Sequence, residues 1–305
     1  MGAADTSIFA RQNDPELLRI LKAASVAHRR AKRLASSHVA LSALLAGLGV
    51  AGVFVTVLQT PVTLLGLLWA FAYATGARLW GAREMRRAAL FQEMFDTRVF
   101  RLPWNTLLAG GDEPLPHEVS RAARRYTAPE SLLEDYFYEV TELPRPLDVL
   151  ACQMQSLGWG ARIRRRYAAA VSGGLVLWSL AGIGLGLARS MTVTGMLLHW
   201  FVPSLGLLLL GVDTAASQRD TAGDREHAHT VLMTEVRGHA ARGGPEEEAP
   251  ALLQLARQVQ DILLLTRLRQ ARVPDWFFKR FQTSDRTDFV RATREFDRLS
   301  VNPSP

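Results

Sequence analysis

The densest chemistry in the chain is a run of cations, Arg162, Arg164, Arg165 and Arg166, with Tyr136, Tyr138, Trp159 and Tyr167 close by in sequence. Guanidinium forks match phosphate oxygens two at a time, and aromatic rings can stack on a base. Such a set could clamp the phosphates of a nucleotide. The same arginines could instead hold a helix end against anionic lipid headgroups. Arg83, Arg86 and Arg87 invite the same two readings. His227 and His229, beside Asp224 and Glu226, have ligand-like spacing. No Cys and no third His lies near them, so they read as a solvated polar loop rather than a metal site. Cys152 is the single cysteine, which excludes an intramolecular disulfide. With no His near it in sequence, it reads as a buried structural thiol rather than a nucleophile. No glycine-rich phosphate loop of the Walker or dinucleotide type occurs. The expectation is a protein without catalytic residues, metal or cofactor.

What must position these groups is set by two stretches without acidic or basic charge, Ser36 to Ala77 and Ala168 to Val212, the second broken only by Arg189. A bilayer core about 30 Å thick needs roughly 20 apolar helical residues per crossing, so each stretch is long enough to cross twice. Val39–Leu58, Pro61–Gly76, Ala168–Ala188 and Met191–Val212 therefore read as four transmembrane helices in two hairpins, the first turning at Gln59-Thr60-Pro61. A soluble core rarely needs two such regions without one Asp, Glu or Lys. The fold class predicted is an all-α membrane protein with a helical cytoplasmic region. Its parts are a cytoplasmic N-terminal helix (1–38), a first hairpin (39–76), a cytoplasmic helical segment (77–167), a second hairpin (168–212) and a cytoplasmic tail (213–305).

Whole-chain values hide this organisation: mean hydropathy is +0.04 and 21% of residues are charged. A net charge of +7 and a pI near 10.1 could suggest nucleic acid, but the position of the charge explains it better and no DNA or RNA partner is expected. Basic residues crowd the ends that precede the first and third spans and follow the second and fourth, whereas the two hairpin turns contribute only Arg189. Positive-inside bias then places both termini and the central segment in the cytoplasm. The first span reads as an uncleaved signal anchor, since the residues before it are too many and too charged for a signal peptide.

Within the spans His199 is the one titratable group apart from Tyr73, and no Asp or Glu accompanies it, so intramembrane catalysis is not expected. Gly195, His199 and Pro203 share one side of the fourth span and read as a kink with a polar handle. His199, Thr63 and Ser179 are the candidate pore-lining residues, with Thr56, Ser172 and Thr194 as further polar groups. Small residues recur every four positions at Ala43, Gly47 and Ala51, at Gly66, Ala70 and Ala74, and at Gly182 and Gly186, a spacing that lets helix backbones approach in lipid. Packing within one protomer and packing between subunits both fit it.

Outside the spans helical signals continue. Asn13-Asp14-Pro15-Glu16 reads as a helix start, followed by Leu17, Leu18, Leu21 and Ala24 at helical spacing. Met85, Ala88, Ala89, Gln92, Phe95 and Val99 keep the same period until Leu102-Pro103-Trp104-Asn105 ends it. Glu118–Tyr126 reads as a short helix. Gly243-Gly244-Pro245 separates two tail helices, the second with a face of Leu255, Val259, Ile262 and Leu265. Phe289, Ala292, Phe296 and Leu299 mark a last amphipathic helix. No strand pattern emerges.

Several of these short runs form a pattern in order: Arg11-Gln12-Asn13, Phe95-Asp96, Val99-Phe100, Leu102-Pro103-Trp104-Asn105, Leu143-Pro144, Cys152-Gln153, Trp159, Arg164-Arg165-Arg166-Tyr167 and Val273-Pro274-Asp275-Trp276-Phe277. Around two hairpins, the set resembles the SMODS-associated four-transmembrane effector family over about Arg11 to Phe296. The resemblance implies a bacterial antiphage effector paired with a nucleotidyltransferase that makes a cyclic di- or oligonucleotide. It also implies a pore-former that permeabilises the membrane and arrests or kills the infected cell. Four apolar helices leave no aqueous path in one protomer, so conduction would need a homo-oligomeric ring or a rearrangement that exposes Thr56, Thr63, Ser172, Ser179, Thr194 or His199 to water. The chain departs from the family pattern at Ser156, where an Asn is usual, at Gly160, where an Asp is usual, and at Tyr136-Phe137-Tyr138 in place of Trp-Tyr-Pro. A membrane-anchored scaffold or sensor that binds a cytosolic protein is the alternative function.

Overall fold

In the computed structural model, which describes residues 7–76, 81–137, 143–269, 273, 274, 276, 277, 280 and 281, the regular elements are all helical and no strand occurs among the described residues. In chain order they are α1 (Ile8–Arg11), α2 (Pro15–Phe54), α3 (Thr56–Thr75), α4 (Ala82–Phe100), α5 (Thr106–Ala109), α6 (Pro116–Ala123), α7 (Leu147–Ala188), α8 (Val193–Met196), α9 (Val202–Ala241) and α10 (Ala249–Leu268). A π-helical turn over Leu197–Phe201 joins α8 to α9 in one continuous rod. The four apolar stretches fall in α2, α3, α7 and this rod, each long and apolar enough to cross a membrane.

The chain divides into two units. One, here the polar unit, comprises 1–28, 84–164 and 220–305; the other, the apolar unit, comprises 29–83 and 165–219. Helices α2, α7 and α9 each contribute residues to both.

The polar unit buries large side chains. Phe91, Phe95 and Phe100 of α4 pack with Leu150, Met154 and Leu157 of α7, Leu232 of α9 and Leu252, Val259 and Leu263 of α10. Each such side chain withdrawn from water contributes about 1.5–3 kcal/mol before entropy is counted. The predicted α4 face, from Met85 to Val99, is buried throughout. Its last turn closes on Arg101 in a left-handed conformation, φ 50°, and two cations meet its free carbonyls. Arg11 donates to Val99 at 2.6 Å and Arg145 to Phe100 at 2.8 Å, which suits the negative end of the helix dipole.

The apolar unit packs through small residues. Ser42, Ala46, Gly66, Ala70, Ser204 and Gly206 are inside, while Leu68, Phe71, Leu177 and Leu187 point out, the last 77% exposed. Indole groups bond hydroxyls within it, Trp69 to Ser42 at 2.8 Å and Trp178 to Ser204 at 3.1 Å.

Two local expectations need correction and a third is refined. The first hairpin turns at Val55, not at Gln59-Thr60-Pro61, and Pro61 lies inside α3, where it deprives only the carbonyl of Val57 of a donor. His227 and His229 lie in the middle of α9 rather than in a loop; the helix simply continues past the fourth span to Ala241. The predicted α10 face does pack, with Val259 buried and Leu255 and Ile262 partly buried against the core, but its most buried line is Leu252, Ala256, Val259 and Leu263. The tail helix around Phe289 lies outside the described residues.

Candidate functional site

The arginine run does not act as one block. It straddles the division of the chain, with Arg162 and Arg164 in the polar unit and Arg165 and Arg166 in the apolar one. Helical spacing turns successive residues by about 100°. Arg162 and Arg165 are accordingly exposed, whereas the guanidinium of Arg164 is enclosed, and burial lowers its pKa to about 10. The side chain of Trp159, and Tyr138 altogether, lie outside the described residues.

The polar unit, to which Arg164 belongs, also holds a buried ionic cluster. At its centre are Glu93 and Asp96 of α4, each 1% exposed. Arg257 of α10 donates to Glu93 at 2.8 Å and to Asp261 at 2.6 Å, and Arg267 donates to Asp96 at 2.7 Å. Gln260 spans both carboxylates, at 2.8 Å to Glu93 and 3.0 Å to Asp96, and Gln153 of α7 donates to the carbonyl of Ala256 at 2.8 Å. Burial raises the pKa of Glu93, with Arg257 and Arg267 opposing the rise and Asp96 adding to it. For Arg267 burial works downward, but the charges of Asp96, Tyr136 and Glu93 outweigh it and leave the pKa raised. A cluster in which each charge has a partner can be tolerated in the interior; one with a missing partner is costly.

Arg225 of α9 is different. It is 7% exposed, and its partners are neutral: the hydroxyl of Thr266 and the carbonyl of Ser156, each at 3.2 Å. Burial, then the like charges of Arg164 and Arg267, push its pKa well below the usual guanidinium value. It sits against Gly160, where any Cβ would lie 2.1 Å from its Nη1. Ser156, Gly160 and Arg164 follow at four-residue spacing, so they share the face of α7 that Arg225 meets.

Tyr136 lies within electrostatic reach of Arg225, Arg267 and Asp96. Its residue is 41% exposed while its hydroxyl end is crowded by protein, which raises its pKa. Two side chains hold the segment that carries it. Gln12 accepts from the Phe137 amide at 2.9 Å, and Asn13 accepts from the Asp135 amide at 3.0 Å, much as a neighbouring strand would. The Tyr136 ring meets Phe95 edge-on at 5.4 Å.

The candidate pore-lining groups sit in the apolar unit. Thr63 of α3 donates to the carbonyl of Leu198 at 2.8 Å, and Ser179 donates to Leu175 of its own helix at 2.9 Å. The Thr63 bond has a clear cause. In the π register Val202 bonds Leu197, and the residue next in line for the Leu198 carbonyl is Pro203, which has no N–H. Thr63 supplies the missing donor. His199 is half-buried in the same turn. Gly66 admits this turn, since a Cβ there would lie 2.5 Å from Cα of Pro203, and Gly182 and Gly186 likewise receive Trp200 and Met196. Gly47, by contrast, has nothing within 4 Å of its missing Cβ.

Residues 6–296 match the model of the SMODS-associating 4TM effector domain. The chain belongs to that family. It is a multi-pass membrane protein and a membrane effector of an antiphage system. A protein of Bacillus cereus (strain VD146) named as a probable CBASS effector molecule is 20% identical over 286 residues, covering 91% of this chain and 94% of its own length. No solved structure matches the chain.

The short runs that signalled the effector family are mostly fixtures of the polar unit. Arg11, Gln12 and Asn13 clamp the end of α4 and the Tyr136 segment, Asp96 anchors the ionic cluster, and Asn105 caps α5 and donates to Asp261 at 3.2 Å. Cys152 is fully buried, and burial raises its thiol pKa, as suits a packing residue. His227 and His229, two apart on a helix, point to different sides and do not share a ligand. Among the described residues no three His, Cys, Asp or Glu converge as metal ligands. Sequence reading missed Glu93, Arg225 and Arg267. Their signal was weak: three isolated charges, each far in sequence from the groups it meets.

Proposed function

We propose that this effector permeabilises the bacterial inner membrane as a homo-oligomer when a partner nucleotidyltransferase supplies a cyclic di- or oligonucleotide, and that the cell then stops growing or dies. In this reading the termini and the polar unit face the cytoplasm, as the crowding of basic residues at the corresponding span ends supports. The observation that carries the proposal is the outer surface of the spans. Thr63 and Ser179 are engaged with carbonyls, so the protomer offers no evident polar path of its own. Yet Gly47, Gly173, Gly174 and Gly184 present faces with nothing within 4 Å of where a Cβ would stand. Glycine is a poor helix former, and in lipid it earns its place where backbones approach closely. Outward-facing glycines on α2 and α7 support contact between copies, and conduction between copies follows from an arrangement in which no single protomer conducts. No ring of charge is present in the spans to impose ion selectivity. The test is dye leakage from liposomes that hold the purified full-length chain, against a panel of cyclic di- and trinucleotides. Leakage with at least one member, and none without, is expected; a silent panel with correctly inserted protein would sink the proposal in favour of an anchored scaffold.

A further inference from the structure

We propose that Arg225, flanked by Arg164 on the facing helix, is the seat for a phosphate group of a soluble nucleotide ligand, with Tyr136 as the aromatic edge beside it. The ligand's identity as a nucleotide rests on the proposed trigger; the anion site itself does not rest on permeabilisation. The contrast with its neighbours makes the case. Arg257 and Arg267 each meet a carboxylate within 2.8 Å, whereas Arg225, equally interior, meets only a hydroxyl and a carbonyl at 3.2 Å. Charge-assisted bonds from guanidinium to oxyanion run shorter, about 2.7–2.9 Å, so these contacts leave Arg225 without a counterion. Among the described residues no carboxylate bonds it.

The surroundings concentrate positive potential rather than relieve it. Arg164 lies one turn beyond Gly160 on the face of α7 that Arg225 meets, and Arg267 and Arg164 both act on Arg225 as like charges. Gly160 lets the Arg225 guanidinium lie close against the α7 backbone, because any side chain there would run into it. Tyr136, 41% exposed and within electrostatic reach of Arg225, gives the site an edge toward solvent, and Gln12 and Asn13 fix its segment from both sides. Two guanidiniums and an aromatic ring are groups that recognise a phosphate joined to a base. Carboxylate ligands would be met by the same fork, but the adjoining ring favours a nucleotide.

The experiment is thermal unfolding of the full-length chain in uncharged detergent, with inorganic phosphate raised at constant ionic strength. The parent should be stabilised in a saturable way. Arg225→Gln should weaken the apparent phosphate affinity about tenfold or more, as loss of a charge-assisted contact implies. Arg225→Lys keeps the charge and most of the volume but loses the fork, so it should also weaken the phosphate response, which keeps the test valid should Arg225→Gln fold poorly. Arg162→Gln, on the exposed face, should behave as the parent. No phosphate effect on the parent, or equal effects on parent and both site variants, would overturn the proposal. Repeating the series in phosphatidylcholine and phosphatidylglycerol nanodiscs separates sources. A phosphate response that persists in both supports a soluble ligand; a response erased by phosphatidylglycerol marks a lipid headgroup seat and overturns the nucleotide assignment. Leakage assays keep the two readings apart. Nucleotide-triggered leakage unchanged in Arg225→Gln would overturn the role of this site and leave the proposed function standing. A phosphate response without leakage for any nucleotide supports the site and removes the trigger.

Discussion

The two units of the chain are built on opposite plans. The polar unit puts its largest side chains inside, with Phe91, Phe95, Phe100 and Leu232 all fully buried. The apolar unit puts small residues inside, Ser42, Gly66, Ser204 and Gly206, and turns leucines outward. Solvent accounts for the inversion. Water drives apolar area inward in proportion to its size. Lipid is as apolar as leucine and gives no such drive, so close backbone approach and internal hydrogen bonds hold spans together instead. The charges follow the same logic: buried ion pairs occur in the polar unit, and in the apolar unit hydroxyls and indoles take the inward polar roles. Each plan has its own weakest point.

In the polar unit that point is the ionic cluster, and the largest effect is expected there. Arg267→Met keeps most of the volume but leaves Asp96 buried with Gln92 and Gln260 as its remaining partners. Removing one member of a buried pair costs about 3–5 kcal/mol, so the variant should unfold well below the parent in a thermal scan of the full chain. Its pH dependence has a definite sign. The raised pKa of Glu93 favours its protonated form in the folded state, so that contribution is present below the ordinary carboxyl pKa and fades as pH rises through the folded value. Loss of Arg267, which opposes the rise, should steepen the decline with pH. A variant as stable as the parent across that range would show that the cluster is solvated and the contrast between units overstated.

In the apolar unit the weak point is where the π turn meets α3. Gly66→Ala drives a methyl to 2.5 Å from the Pro203 backbone, which cannot rotate aside, and overpacking of this kind costs about 1–3 kcal/mol. Gly47→Leu meets nothing within the protomer and should leave the unfolding temperature where it is. The pair sharpens the comparison, since both are glycines on small-residue repeats of the spans. Crosslinking in membranes then reads the second function of such repeats: reduced oligomer formation in Gly47→Leu with unchanged stability is expected. Equal stability loss in both variants would show that Gly47 is also an internal contact.

How much of this was legible in sequence also divides by unit. The spans were legible because absence of charge over 40 residues has few explanations, and α4 was legible because Met85 to Val99 keep one apolar face. The turn at Val55 was not, because Pro61 is a stronger local signal than an extended Val, and only the tertiary fit of α3 shows that the helix tolerates it. The site was the least legible part. Arginines clustered in sequence looked like the site, yet helical rotation leaves Arg162 and Arg165 exposed while Arg164 is enclosed by protein. The interior cations, Arg225 and Arg267, reach Ser156 and Asp96 across 69 and 171 residues. A lone charge in a helix reads as solvent-facing until its partner is known, and Gly160 gave no sign that its missing side chain mattered.

The smallest effect is expected at the exposed end of the polar unit, where α9 stops at Ala241 and the chain reverses through Gly243 and Gly244, both at positive φ. Glu248 reaches back across this turn to Arg242 at 2.6 Å and to His239 at 2.7 Å. Arg242 first, then His239, hold the Glu248 carboxyl down at a pKa of about 2. A depressed carboxyl pKa contributes stability above the ordinary value near 4.5, and that contribution is lost only as pH falls toward 2. Limited proteolysis at the glycine turn should therefore be no faster at pH 4 than at pH 7 in the parent. Arg242→Gln removes the largest cause of the shift and leaves His239, so Glu248 should titrate closer to its ordinary value and cleavage at pH 4 should exceed that at pH 7. Solvent screening keeps the effect slight, and global unfolding should not register it. If the parent turn also opens in that window, the clasp is too weak to hold the carboxylate. The ion pairs that matter to the polar unit are then the buried ones alone.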